Sequence, residues 1–94
     1  MKNHVKIFTN FWNSDDVIMQ TYQCFMCNSW EGTDIHHISS RGMGGSKLKD
    51  FLENLTCLCR RCHDRCHADK NFNIKARITN LRNIADKLEG EVDG

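Results

Sequence analysis

Two cysteine pairs, Cys24-x2-Cys27 and Cys59-x2-Cys62, carry the most specific chemistry in the chain. Each pair can present two thiolates from one tight turn, and two such turns complete a tetrahedral all-sulfur site. Soft thiolates in tetrahedral array select zinc over magnesium or calcium. A structural Zn2+ on Cys24, Cys27, Cys59 and Cys62 is therefore expected. Cys57 and Cys66 stand outside this scheme and read as small buried apolar residues.

The histidines supply a second set. His63 and His67 are four residues apart on an expected helix, so both imidazoles lie on one face and can share an ion. With His36 they make three nitrogen ligands and leave positions open for water or substrate. Three protein ligands with an open position mark a catalytic metal, whereas a closed set of four marks a structural one. Adding His36, His63, Cys66 and His67 to the two cysteine pairs gives enough ligands for two closed zinc sites. That count keeps a rival open, a non-catalytic zinc-binding module that contacts DNA or protein. The adjacent pair His36 and His37 poses a separate question. Neighbours on a strand point to opposite faces, so these two cannot close on one ion as a simple clamp.

The elements that must position these residues follow from local pattern. Residues 34–38 and Leu55–Leu58 are expected as short strands, joined by a Ser/Gly/Lys loop over 39–50. The run "RRCHDRCHADK", Arg60 to Lys70, reads as a helix that breaks at Asn71–Asn73. The segment 4–12, "HVKIFTNFW", is rich in β-branched and aromatic residues and predicts a strand. Ser14 or Asp15 would cap a short helix through Asp16–Tyr22. A final amphipathic helix covers about 73–89 and stops at Gly90. Its stripe of Ile74, Ile78, Leu81, Ala85 and Leu88 is expected to face the core, with a dimer contact as the other use. Together these elements make a small α+β domain that spans residues 1–94.

A chain of 94 residues buries a modest core, and small scaffolds of this size often add a disulfide or a metal as a staple. The N-terminus has no uninterrupted apolar run with a small-residue cleavage site, and no stretch approaches membrane-spanning length. The expected setting is the cytoplasm, with no membrane partner, where spaced cysteine pairs are more often metal ligands than disulfides. The net charge of +1 hides a segregation. Arg60–Arg82 holds seven basic residues against two acids, while the tail from Asn83 is acidic. A basic middle suits a polyanionic partner, and it equally suits a solvated helix face.

The order CxxC, "DIHHI", "RGMGGS" and "ENLTCLCRRCH" resembles the HNH endonucleases of the ββα-metal, or His-Me finger, superfamily, from about Cys24 to His67. It is similar in particular to small stand-alone HNH proteins of phages. The resemblance implies a zinc-stapled ββα-metal fold that hydrolyses DNA phosphodiester bonds by nicking or double-strand cleavage. By the same resemblance, His37 is the general base, and His36, His63 and His67 hold a catalytic divalent ion. Asn54 ties the hairpin loop and orients the site, and Asp34 stands where an acid positions its neighbours. Mg2+ is the working ion the family implies, although three imidazoles also accept Mn2+, Ni2+ or Zn2+. Arg41, Lys47, Lys49, Arg60, Arg61 and Arg65 are the candidate phosphate contacts on DNA. A monomer or weak dimer is expected.

Overall fold

The structure is a computed structural model that describes residues 2–12, 23–31, 34–40 and 47–93. The short helix expected over Asp16–Tyr22, together with Arg41 and most of the glycine-rich loop, lies outside the described residues. Strand β1 (Asp34–His37) pairs antiparallel with β2 (Leu55–Leu58), with Asp34 opposite Leu58 and His37 opposite Leu55. Short 3-10 turns at Lys47–Lys49 and Leu52–Asn54 lead into β2, and helices α2 (Arg60–Ala68) and α3 (Lys70–Asp93) follow it. The result is a small α+β fold in which a two-stranded sheet packs against helices.

Every residue of β2 is buried, which requires cover on both sides. Leu58 packs with Cys24, Cys59, Cys62, Cys66, Phe72 and Ala76 on the side of α2 and α3. Leu55 and Cys57 pack on the other side with Phe8 from the N-terminal segment. That segment is the first departure from expectation. Residues Asn3–Trp12 form a helix, α1, and not a strand. Its apolar residues meet the sheet at helical spacing: Phe8 is buried, while Ile7 and Trp12 pack beside it with Phe25 and Ile35. Strand propensity is a weak preference that tertiary packing overrides. A helix lays this face across β2 while satisfying its own backbone, and Thr9 closes its hydroxyl onto the Val5 carbonyl at 2.8 Å.

The two C-terminal helices also differ from expectation. The break falls at Asp69 and not at Asn71–Asn73, because Asp69 caps α3. Its Oδ1 accepts hydrogen bonds from the amides of Asn71 at 3.0 Å and Phe72 at 3.2 Å. At the far end the helix runs through Gly90, where a side chain would meet open space, and the Lys87–Glu91 pair bridges one turn. Glycine weakens a helix interior but ends one only where a left-handed residue is required.

The stripe of Ile74, Ile78, Leu81 and Leu88 is 44–47 % exposed and does not form the core face. Phe72, Ala76, Asn80 and Ile84 are buried instead, one helical turn after another. Asn80 donates to the Glu53 carbonyl at 3.2 Å, which fixes this rotation with a polar anchor. A helix carries several stripes at the same period, and the hydrogen bonds and contacts available on the sheet chose the less apolar one.

Asp69→Ala removes the α3 cap and is expected to cost about 1 kcal/mol in urea unfolding. An unchanged unfolding midpoint would show that the α2–α3 junction does not depend on this side chain.

Candidate metal centres and catalytic site

The sulfur cluster is built from two turns. Between Cys24 and Ser29 the backbone closes on itself, with the Asn28 amide donating to the Cys24 carbonyl at 2.9 Å and the Cys24 amide to the Ser29 carbonyl at 2.7 Å. Asn28 supplies the left-handed residue of this turn, with φ of 63°. Asparagine adopts that conformation more readily than most residues. The second turn comes from the end of β2, where Cys59 is the N-cap of α2 and Cys62 lies in the first turn. The sulfurs of Cys24, Cys27, Cys59 and Cys62 all lie within 4.8 Å of one another, as free thiols. Cys27 and Cys59 stand 3.7 Å apart. Two sulfurs on a tetrahedral ion at the zinc–sulfur distance would stand about 3.8 Å apart, so the cluster fits a structural zinc site.

Hydrogen bonds from Ser29 lower the Cys27 thiol to about 6, while burial pushes Cys62 up. Cys57 and Cys66 lie outside the cluster in the two cores, where burial raises them to about 12 and about 11. Both thiols are therefore neutral and serve packing.

A second cluster joins β1 to α2. The imidazoles of His36, His63 and His67 bring donor atoms within 4.8 Å of one another, with ring centroids 4.9–5.3 Å apart. Outer hydrogen bonds orient two of these rings. The Asp34 carboxylate accepts from His63 Nδ1 at 2.8 Å, which leaves Nε2 with its lone pair. Burial alone would raise the Asp34 carboxyl, but hydrogen bonds from His63 and Arg60 hold it below its ordinary value. His36 Nε2 lies 2.8 Å from Asn73 Oδ1. Because Asn73 Nδ2 donates to the Ile38 carbonyl at 2.8 Å, its oxygen must face His36, so the ring donates there and keeps Nδ1 unprotonated. Burial further lowers His36 and favours the neutral ring that a metal requires.

His37 points to the other face of the sheet. Its Nε2 lies 2.8 Å from Asp50 Oδ1, and the side chain of Asp50 is fully buried. A carboxylate accepts, so Nε2 carries the proton and Nδ1 is the basic nitrogen. Asn3 donates to the second Asp50 oxygen at 3.2 Å, and the His4 ring meets His37 edge-on at 4.8 Å. Asn54 holds the loop that carries Asp50. Its Oδ1 accepts from the Ser39 amide at 2.7 Å, and its Nδ2 donates to the carbonyls of Ser39 and Lys49 at 3.0 Å each.

The basic residues disperse. Lys49 donates to the Ser39 hydroxyl, Arg60 pairs with Asp34 and Asp64, and Arg65 lies over the Phe72 ring at 4.1 Å. Arg60, Arg61 and Arg65 line one hollow beside the thiolates, with Cys27, Ser29 and Glu31. Lys47 falls in the first 3-10 turn. Asn3, His4, Asp50 and Asn73 had no motif to mark them. The available signal was that His4 remained unassigned among five histidines.

Two substitutions test the two supports. Cys24→Ser is expected to abolish cooperative thermal unfolding, because a structural zinc contributes about 10 kcal/mol or more, as much as a small domain's whole stability. A cooperative melt at the original temperature would exclude the sulfur staple. Asn54→Ala is expected to cost about 2–4 kcal/mol in urea unfolding, since it orphans buried partners on Ser39 and Lys49.

Comparison with curated proteins and with solved structures gives no match. The family model of the HNH endonuclease matches residues 24–69, a segment holding both cysteine pairs, the three clustered histidines, His37, Asp50 and Asn54. Residues 24–69, just under half of the chain, thus carry a match to the HNH endonuclease domain.

Proposed function

We propose that the chain is a metal-dependent endonuclease that hydrolyses DNA phosphodiester bonds, of the phage or mobile-element kind. The observation that carries this reading is the division of labour across β1. His36 enters a three-imidazole cluster on one face, while His37 is held by a buried carboxylate on the other. The two side chains leave consecutive α-carbons, about 3.8 Å apart. A metal position and a base position are thus tied to one peptide unit.

His36, His63 and His67 would hold the divalent ion, which when bound supplies Lewis-acid stabilisation to the phosphoryl and leaving oxygens. His37 Nδ1 takes the proton of the attacking water as its oxygen bonds to phosphorus. Asp50 fixes the tautomer that makes Nδ1 the acceptor and stabilises the imidazolium that forms. The bond to the 3′-oxygen breaks and that oxygen takes a proton from solvent, leaving a 5′-phosphate and a 3′-hydroxyl. Three imidazole donors match Ni2+ or Zn2+ more closely than Mg2+ or Mn2+, which prefer oxygen. The hollow lined by Arg60, Arg61 and Arg65 offers cationic groups to the phosphate backbone.

The rival reading, a module with two closed zinc sites, finds less support. It needs Cys66 as a fourth ligand to the histidines, and Cys66 packs in the core outside that cluster.

Plasmid cleavage with a panel of divalent ions tests the proposal. His37→Ala should slow cleavage by about 10²–10⁴-fold while retaining metal affinity at the His36, His63 and His67 cluster. His36→Ala should weaken metal binding, and higher metal concentrations should recover part of its rate. Equal cleavage by the unchanged chain and His37→Ala would reject His37 as the base.

A further inference from the structure

We propose that His4, His37 and Asp50 form a second transition-metal site, distinct from the His36, His63 and His67 cluster, and that its occupation disables His37. One nitrogen from each histidine and a carboxylate oxygen of Asp50 lie within 4.8 Å of one another. The rings of His4 and His37 are 4.8 Å apart, against 4.9–5.3 Å among the clustered histidines. These are the spacings of side chains that converge on one point.

The carboxylate is already oriented for this task. Asn3 holds Asp50 Oδ2 at 3.2 Å, which leaves Oδ1 directed at His37 Nε2 at 2.8 Å. The donor set is two imidazoles and one carboxylate. It suits Co2+, Ni2+ or Mn2+, whereas magnesium and calcium prefer oxygen alone. His4 and Asn3 come from α1, outside the matched segment of residues 24–69. The site therefore exists only because the N-terminal helix packs over the sheet face that carries His37.

The consequence for His37 follows from its two nitrogens. In the metal-free dyad, Nε2 donates its proton to Asp50 and Nδ1 holds the lone pair. An ion between Nε2 and Asp50 takes the Nε2 lone pair, and the ring's single proton then resides on Nδ1. No proton is gained or lost, but no lone pair remains for water. Metal binding requires only the three donors, while the loss of cleavage rests on the nuclease reading of His37.

Titrating the full chain with Co2+, loaded first at the sulfur site so that the fold is in place, separates the two. Three equivalents are expected, one per cluster, and the sulfur-to-cobalt absorption of the thiolate site reports that each variant is folded. His4→Leu, with His4→Gln as the volume-matched alternative, should bind two equivalents or show affinity for the third weakened about tenfold or more. In cleavage assays with Mg2+, each chain is normalised to its own rate. Half-inhibition by added Co2+ should then require about tenfold more ion in the His4 variants. Equal Co2+ binding by the unchanged chain and both His4 variants overturns the proposal. A lost equivalent in the variants, with no cleavage by any chain under any ion, upholds the metal site and rejects the nuclease reading instead.

Discussion

Strand β2 is buried along its whole length, so the strand paired with it must serve two environments at once. The antiparallel register does this by sending alternate residues of β1 to opposite sides. Asp34 and His36 turn toward α2 and α3, while Ile35 and His37 turn toward α1. A one-residue slip would exchange these sets and separate His36 from His63 and His67. Adjacent histidines are therefore neither redundant nor cooperative in the ordinary sense. One peptide unit fixes the distance between two histidine environments on opposite faces of the sheet.

The interactions that hold this register are largely polar, in keeping with the small apolar core of so short a chain. Asn54 clamps the loop before β2, Asn73 ties His36 to the Ile38 carbonyl, and Asn80 anchors α3 to the turn at Glu53. Each amide sits where a buried backbone group needs a partner, so each specifies one arrangement more sharply than an apolar contact would. The sulfur cluster then joins the end of β2 and the start of α2 to the turn at Cys24. Sulfur cluster, strand pairing and amide clamps constrain the same few residues from different directions.

Surface chemistry is divided in a comparable way. Arg60 pairs with Asp34 and Asp64, and Arg65 lies over Phe72, beside the hollow that the cysteines line. On α3 the more apolar stripe faces outward. No described helix is long and apolar enough to cross a membrane. The HNH endonuclease domain match over residues 24–69 implies a nucleic-acid partner, and cationic groups on α2 are suited to a phosphate backbone.

Much of the site was legible in the sequence because ligand spacing is a local property. The two CxxC pairs, the i, i+4 histidines on α2 and the short strands at 34 and 55 announce themselves within a few residues. What remained hidden depends on contacts between distant segments. The helical form of α1 arises from packing Phe8 and Trp12 onto β2, a surface that the segment's own propensities cannot register. The buried face of α3 was chosen by Asn80 and Ala76 fitting the sheet, against the richer stripe that periodicity favoured. Asp50 and Asn73 orient histidines 13 and 37 residues away, and His4 reaches His37 only across the folded sheet. Sequence thus determined which groups can ligate and at what local spacing. Tertiary structure alone decided which groups orient them, because a hydrogen bond between remote residues has no local pattern to betray it.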